Sequence, residues 1–138
     1  MRTLEHYLPP KALKQLQEST PLWINKSLTY GPKDSPIIAR HACFHPHDGQ
    51  EWLRKQGLSE DKAGGIELYT AKDYVEGRQE WGDGGLLLHE LSHAYHNKFC
   101  RDGFDNRDIR EVRLQNSRHI NYSIVCRQAA DIVLVLYI

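Results

Sequence analysis

Methionine is nearly absent, with Met1 alone, and phenylalanine is scarce at three residues. An excess of either charge is also missing. Eighteen basic residues cancel eighteen acidic ones, which removes the electrostatic case for nucleic acid or an anionic membrane as partner. No apolar run is long enough to cross a bilayer, since even Ile132–Ile138 has only seven residues. The opening stretch Met1–Pro10 holds no apolar segment of signal-peptide length, so a cytoplasmic location is the default expectation. Cysteines are few: Cys43, Cys100 and Cys126 are an odd number without CxxC spacing. They read as free thiols of a reducing compartment rather than a disulfide framework or a structural zinc site. Repeats, low-complexity segments and linker-like stretches are absent, so the 138 residues read as one domain, 1–138.

What remains is the composition of a folded chain, 40% hydrophobic and 9% aromatic. Pro9-Pro10 opens a helical pattern running to about Glu18, and Thr20-Pro21 ends it. Leu22–Tyr30 and Ile37–Phe44 read as strands around a Gly/Pro-rich turn, with a third strand at Ile66–Tyr69. A short helix from Gln50 stops at Gly57. Thr70 is placed to cap a helix from Ala71 to Glu76, and Asn106 to cap another from Arg107 to about Arg118. Short strands ahead of a central helix predict an α+β layout, a small sheet packed on that helix.

The central helix, Gly84 to Phe99, carries the chemistry. It contains Leu-Leu-Leu-His89-Glu90-Leu-Ser-His93-Ala-Tyr-His96, a His-Glu-x-x-His signature. Residues at i and i+4 share one helix face, so His89 and His93 can grip one metal ion. Glu90 adjoins them, where it can take a proton from a metal-bound water. Leu87, Leu88, Leu91, Ala94 and Tyr95 fall on the opposite side and form the buried back of the helix. Trp81-Gly-Asp83-Gly-Gly85 supplies a turn before it, with Asp83 as the expected cap.

A catalytic zinc needs a third protein ligand. His96 shares the face, but seven residues from His89 is about 10.5 Å along an intact helix, too far for one tetrahedral ion. It reads as a residue lining the cleft or facing solvent. A metzincin would need Gly at the position of His96 and His at the position of Phe99, which excludes that class. Glu111, on the next helix, can reach the metal only through a tight return, and beside Arg107, Arg110 and Arg113 it reads better as part of a solvated face. His119 and Asp131 are weaker candidates still. His41, His45 and His47 match no zinc spacing and read as loop or core residues. Trp23, Trp52 and Trp81 read as core or core-edge residues.

The segment Ala63–Arg78 followed by Glu80–Lys98 resembles the zincin-like metallopeptidases of fungi and some bacteria. Their fold is similar to the catalytic domain of anthrax lethal factor. Gly103–Ile109 resembles the family's segment after the motif, and the likeness covers about residues 22–111. It implies His89 and His93 as zinc ligands, Glu90 as general base, and a third ligand from a glutamate on a helix well downstream. Residues 112–138 depart from the family pattern. The chain is therefore expected to be incomplete at its C-terminus, ending in the unpartnered apolar run Ile132–Ile138.

The expected function is that of a zinc-dependent metallopeptidase, hydrolysing peptide bonds by Glu90-assisted attack of zinc-bound water, with Zn2+ as cofactor and a peptide or protein as substrate. The alternative is a catalytically incomplete pseudo-peptidase, lacking the third ligand and acting as a binding module.

Overall fold

The computed structural model describes residues 2–26, 29–30, 37–38, 42–81 and 84–116, with side chains for 4–26, 42–77, 81 and 84–111. Its elements are α1 (Arg2–Tyr7), α2 (Pro10–Ser19), β1 (Leu22–Ile24), β2 (Thr29–Tyr30), β3 (Ile37–Ile38) and β4 (Ala42–Phe44). They continue with α3 (Gln50–Lys55), β5 (Ile66–Leu68), α4 (Ala71–Trp81), α5 (Gly85–Phe99) and α6 (Arg107–Asn116). The layout is α+β, as expected. Among the described residues no helix is long and apolar enough to cross a membrane.

Leu22–Tyr30 holds β1 and β2, and Ile37–Phe44 holds β3 and β4. The two strands of each go to different sheets: β2 pairs with β3, while β1, β5 and β4 form a three-stranded sheet in that order. β5 lies between a parallel neighbour, β1, and an antiparallel one, β4. Each residue of β5 is buried. The pleat sends Ile66 and Leu68 to one face and Glu67 to the other.

The Ile66–Leu68 face meets the helices. Phe44, Ile66 and Leu68 pack with Leu8, between α1 and α2, with Ala12 and Leu16 of α2, and with Leu91, Ala94 and Tyr95 of α5. Tyr95 is 1% exposed, so the predicted back of the motif helix is the core. Burying such side chains stabilises by about 1.5–3 kcal/mol each, enough to fix the rotation of α5 about its axis. The histidine face is thereby turned to the other side.

Local signals set several element ends. Thr70 Oγ1 accepts the Asp73 N–H at 2.9 Å, and Asn106 Oδ1 accepts the Ile109 N–H at 3.1 Å, the two predicted caps. Gly57, at φ +71°, follows the end of α3. The start of α5 differs from expectation. Its N-cap is Gly84 at φ +77° with no side-chain cap bond, not Asp83. Glycine enters that left-handed conformation without steric cost. α4 itself runs on to Trp81, longer than its pattern suggests. Lys98, near the end of α5, donates to Ser19 O, to Thr20 Oγ1 at 3.1 Å and to Gly64 O at 2.6 Å. It thereby ties α5 to the end of α2 and to the turn before β5.

The expectation of free thiols in place of a disulfide is corrected. Cys100 is buried and disulfide-bonded, while Cys43 is free. The apolar run Ile132–Ile138 lies outside the described residues.

Candidate metal centre

Helix α5 carries His89, Glu90 and His93; the structure brings the two histidine rings together, and Glu90 lines a cavity with His93. The His89 and His93 rings stand perpendicular, their centroids 4.6 Å apart, with the two Nε2 atoms at 3.0 Å. Two nitrogens each about 2.0–2.1 Å from one tetrahedral zinc would lie about 3.3 Å apart, close to this separation. Trp81, from the last turn of α4, tilts against the His89 ring at 5.5 Å. The His89 Nδ1 is buried without a hydrogen-bond partner.

Burial governs the protonation of these rings. It lowers the His89 pKa, and for His93 burial, aided by the charge of His89, lowers it to about 4. Both imidazoles are therefore neutral at physiological pH, the form that donates a lone pair to a metal. The donor type and the separation of the two Nε2 atoms fit a metal pair. A third donor is a different matter. Among the described residues no group of three His, Cys, Asp or Glu side chains is placed to hold one ion. Glu111 is exposed and pairs with Arg107 at 3.2 Å on α6. His119, Asp131 and His41 lie outside the described residues.

Glu90 is 7% exposed. Its Oε2 accepts the Phe44 N–H from β4 at 2.7 Å, a bond between residues 46 apart in sequence. Burial raises the Glu90 pKa, opposed by that hydrogen bond and by the charge of His45. The carboxylate is thus both fixed in orientation and made more basic, as a general base requires. Cys43 lies beside it on β4. Its thiol is pushed up to about 11 by burial and by the charges of Glu90 and Glu67, so it stays protonated.

Behind β4 sits a polar cluster that the spacing did not reveal. Glu67 is 0% exposed. It accepts from His45 Nε2 at 2.7 Å, from Lys62 Nζ at 2.5 Å and from Asn25 Nδ2. Burial alone would raise the Glu67 pKa. The bonds from His45, Lys62 and Asn25, with the charge of Lys62, hold it instead at about 2. His45 directly follows Phe44, and its backbone also bonds Gly65 O and the Gly64 N–H at 2.9 and 2.7 Å. The cluster thus anchors the strand whose N–H grips Glu90. Trp52, expected at the core edge, is 44% exposed and lies over His45 at 6.0 Å.

His96 is 3% exposed, with its Nε2 buried and unpartnered. It is not grouped with His89 and His93 as a third donor, in accord with the helical spacing. Burial and the charge of His93 lower its pKa to about 4, against the ordinary 6.5. The unfolded chain therefore takes up a proton below pH 6.5 that the folded protein refuses until about pH 4. Stability from this group is complete above pH 6.5 and is lost as pH falls toward 4. By pH 5 the loss amounts to about 2 kcal/mol. Urea unfolding of metal-free protein at pH 7 and pH 5 tests this: the His96→Leu variant should lose less stability between the two, and an equal loss would refute it.

The chain matches no family model, no curated protein and no solved structure in the comparisons made. Its function is accordingly read from its own residues.

Proposed function

We propose that this chain is a zinc-dependent metallopeptidase of zincin-like fold, with His89 and His93 as metal ligands and Glu90 as general base. One observation carries the reading: two neutral imidazole nitrogens converge at 3.0 Å beside a buried carboxylate held by a backbone N–H. A structural helix with unrelated histidines has no need of that arrangement.

Zinc, when bound, supplies a Lewis acid that polarises a scissile carbonyl and lowers the pKa of water to about 7. The chain's residues do the rest. Trp81 and the core behind α5 orient the ligand rings. The Phe44 N–H occupies Glu90 Oε2 and leaves the other oxygen to take the proton of the attacking water. The same carboxyl then returns that proton to the departing amine, so it ends as it began.

The second reading, a pseudo-peptidase binding module, is favoured by the missing third donor among the described residues. Elemental analysis separates the two. Purified protein should hold one zinc per chain, and His89→Ala or His93→Ala should lose it. Zinc retained by both variants would refute the ligand assignment. Zinc bound without cleavage of any peptide would favour the binding module.

A further inference from the structure

Next to Glu90 and His93 opens a cavity of about 330 Å³, lined among the described residues by Ala42, Cys43, Phe44, Glu90, His93 and Phe104. That is the low end of the range for ligand pockets, suited to one large side chain rather than an extended molecule. Two of its walls are aromatic. Phe44 is 6% exposed and belongs to the core, whereas Phe104 is 46% exposed on the 3₁₀ turn Gly103–Asp105. The Phe104 ring meets Phe44 edge-on at 6.4 Å and His93 at 6.2 Å.

The backbone turns just before Phe104. Asp102 and Gly103 both sit at positive φ, +62° and +52°. Glycine enters this left-handed region freely, and aspartate is among the few other residues that adopt it. Without it the chain leaving α5 would not turn Phe104 back over the histidine face. A half-exposed phenyl ring beside an apolar cavity is completed by an apolar guest, which removes both surfaces from water.

Two of the polar atoms in the walls are already engaged. Cys43 Sγ donates to Phe44 O at 3.4 Å, and Glu90 Oε2 holds the Phe44 N–H. No cation among the lining residues would receive an acidic side chain, and Glu90 would repel one.

We propose that this cavity is a subsite for one bulky apolar side chain of a peptide substrate, flanking the bond that is cut, and that Phe104 sets its selectivity. The proposal rests on the peptidase reading and names its substrate class.

The test is digestion of a synthetic peptide library, randomised at each position, by the zinc-loaded full chain, with cleavage sites read by mass spectrometry. One flanking position should favour Phe, Tyr, Leu or Met over Asp or Glu by about tenfold or more, the scale on which pockets discriminate. Phe104→Ala should reduce the preference for aromatic residues while zinc content stays unchanged. Phe104→Lys should shift acceptance toward Asp and Glu at that same position, which a merely structural role would not produce. Should Phe104→Ala fail to fold, Phe104→Leu, retaining an apolar wall, should narrow the preference to aliphatic residues. A flat profile, or variant profiles identical to wild type, would overturn this proposal alone. No cleavage of any peptide would overturn the peptidase reading and this proposal with it.

Discussion

Under the proposed mechanism, Glu90→Gln should retain metal and fold but lose peptide hydrolysis by a factor of about 10²–10⁴, the range expected for removal of a general base. The amide matches the carboxylate in size, and its oxygen can still accept the Phe44 N–H that Oε2 now holds at 2.7 Å. What it cannot do is take a proton. Because burial already disfavours the charged form of Glu90, the neutral amide should cost the fold little. Zinc content, thermal unfolding and turnover of a peptide library, measured together, give the answer. Wild-type turnover by this variant would sink the mechanism; lost zinc would mean that the carboxylate belongs among the ligands.

Glu67→Ala should destabilise the protein by about 3–5 kcal/mol, since removing one partner of a buried ion pair leaves the other charged and alone. Here Lys62 is 9% exposed and His45 is 3% exposed, and both lose their acceptor at once. For a domain of this size the melting temperature should fall by about 10–20 °C. Folded Glu67 has its pKa lowered to about 2, from an ordinary 4.5. Its contribution is therefore present above pH 4.5 and fades as pH falls toward 2. The gap between variant and wild type should stay constant from pH 5 to 8, unlike the effect of His96. Adding Lys62→Met to Glu67→Leu should recover much of the loss, because an apolar pair of similar volume avoids the uncompensated charge. A loss below about 1 kcal/mol in Glu67→Ala, the scale of an exposed ion pair, would refute the buried-pair account. Activity should fall with stability in this variant, because the cluster anchors the strand that carries Phe44.

The legible parts of this protein are those written in neighbouring residues. The His89–His93 face, the apolar back ending in Tyr95, and the caps Thr70 and Asn106 all depend on spacings of three to seven residues. Helical geometry fixes such spacings before any tertiary contact forms. The strands were less readable. Leu22–Tyr30 and Ile37–Phe44 have continuous β-pattern, yet each contributes strands to two sheets, because pairing partners decide which sheet a strand joins. Trp52 shows the same limit, since its outward position follows from His45 being drawn inward to Glu67.

By itself, then, the sequence determined an α+β chain built round a helix that presents two imidazoles and a carboxylate on defined faces. Tertiary structure alone decided what surrounds them: the Phe44 N–H on Glu90, the Glu67 cluster behind β4, and Phe104 beside the cavity. Apart from Lys62, five residues from Glu67, those contacts join residues 22 to 60 positions apart, such as His45 with Glu67 and Phe44 with Phe104. Only the register of β4 on β5 and the turn after α5 bring them together, and neither follows from any local spacing in the chain.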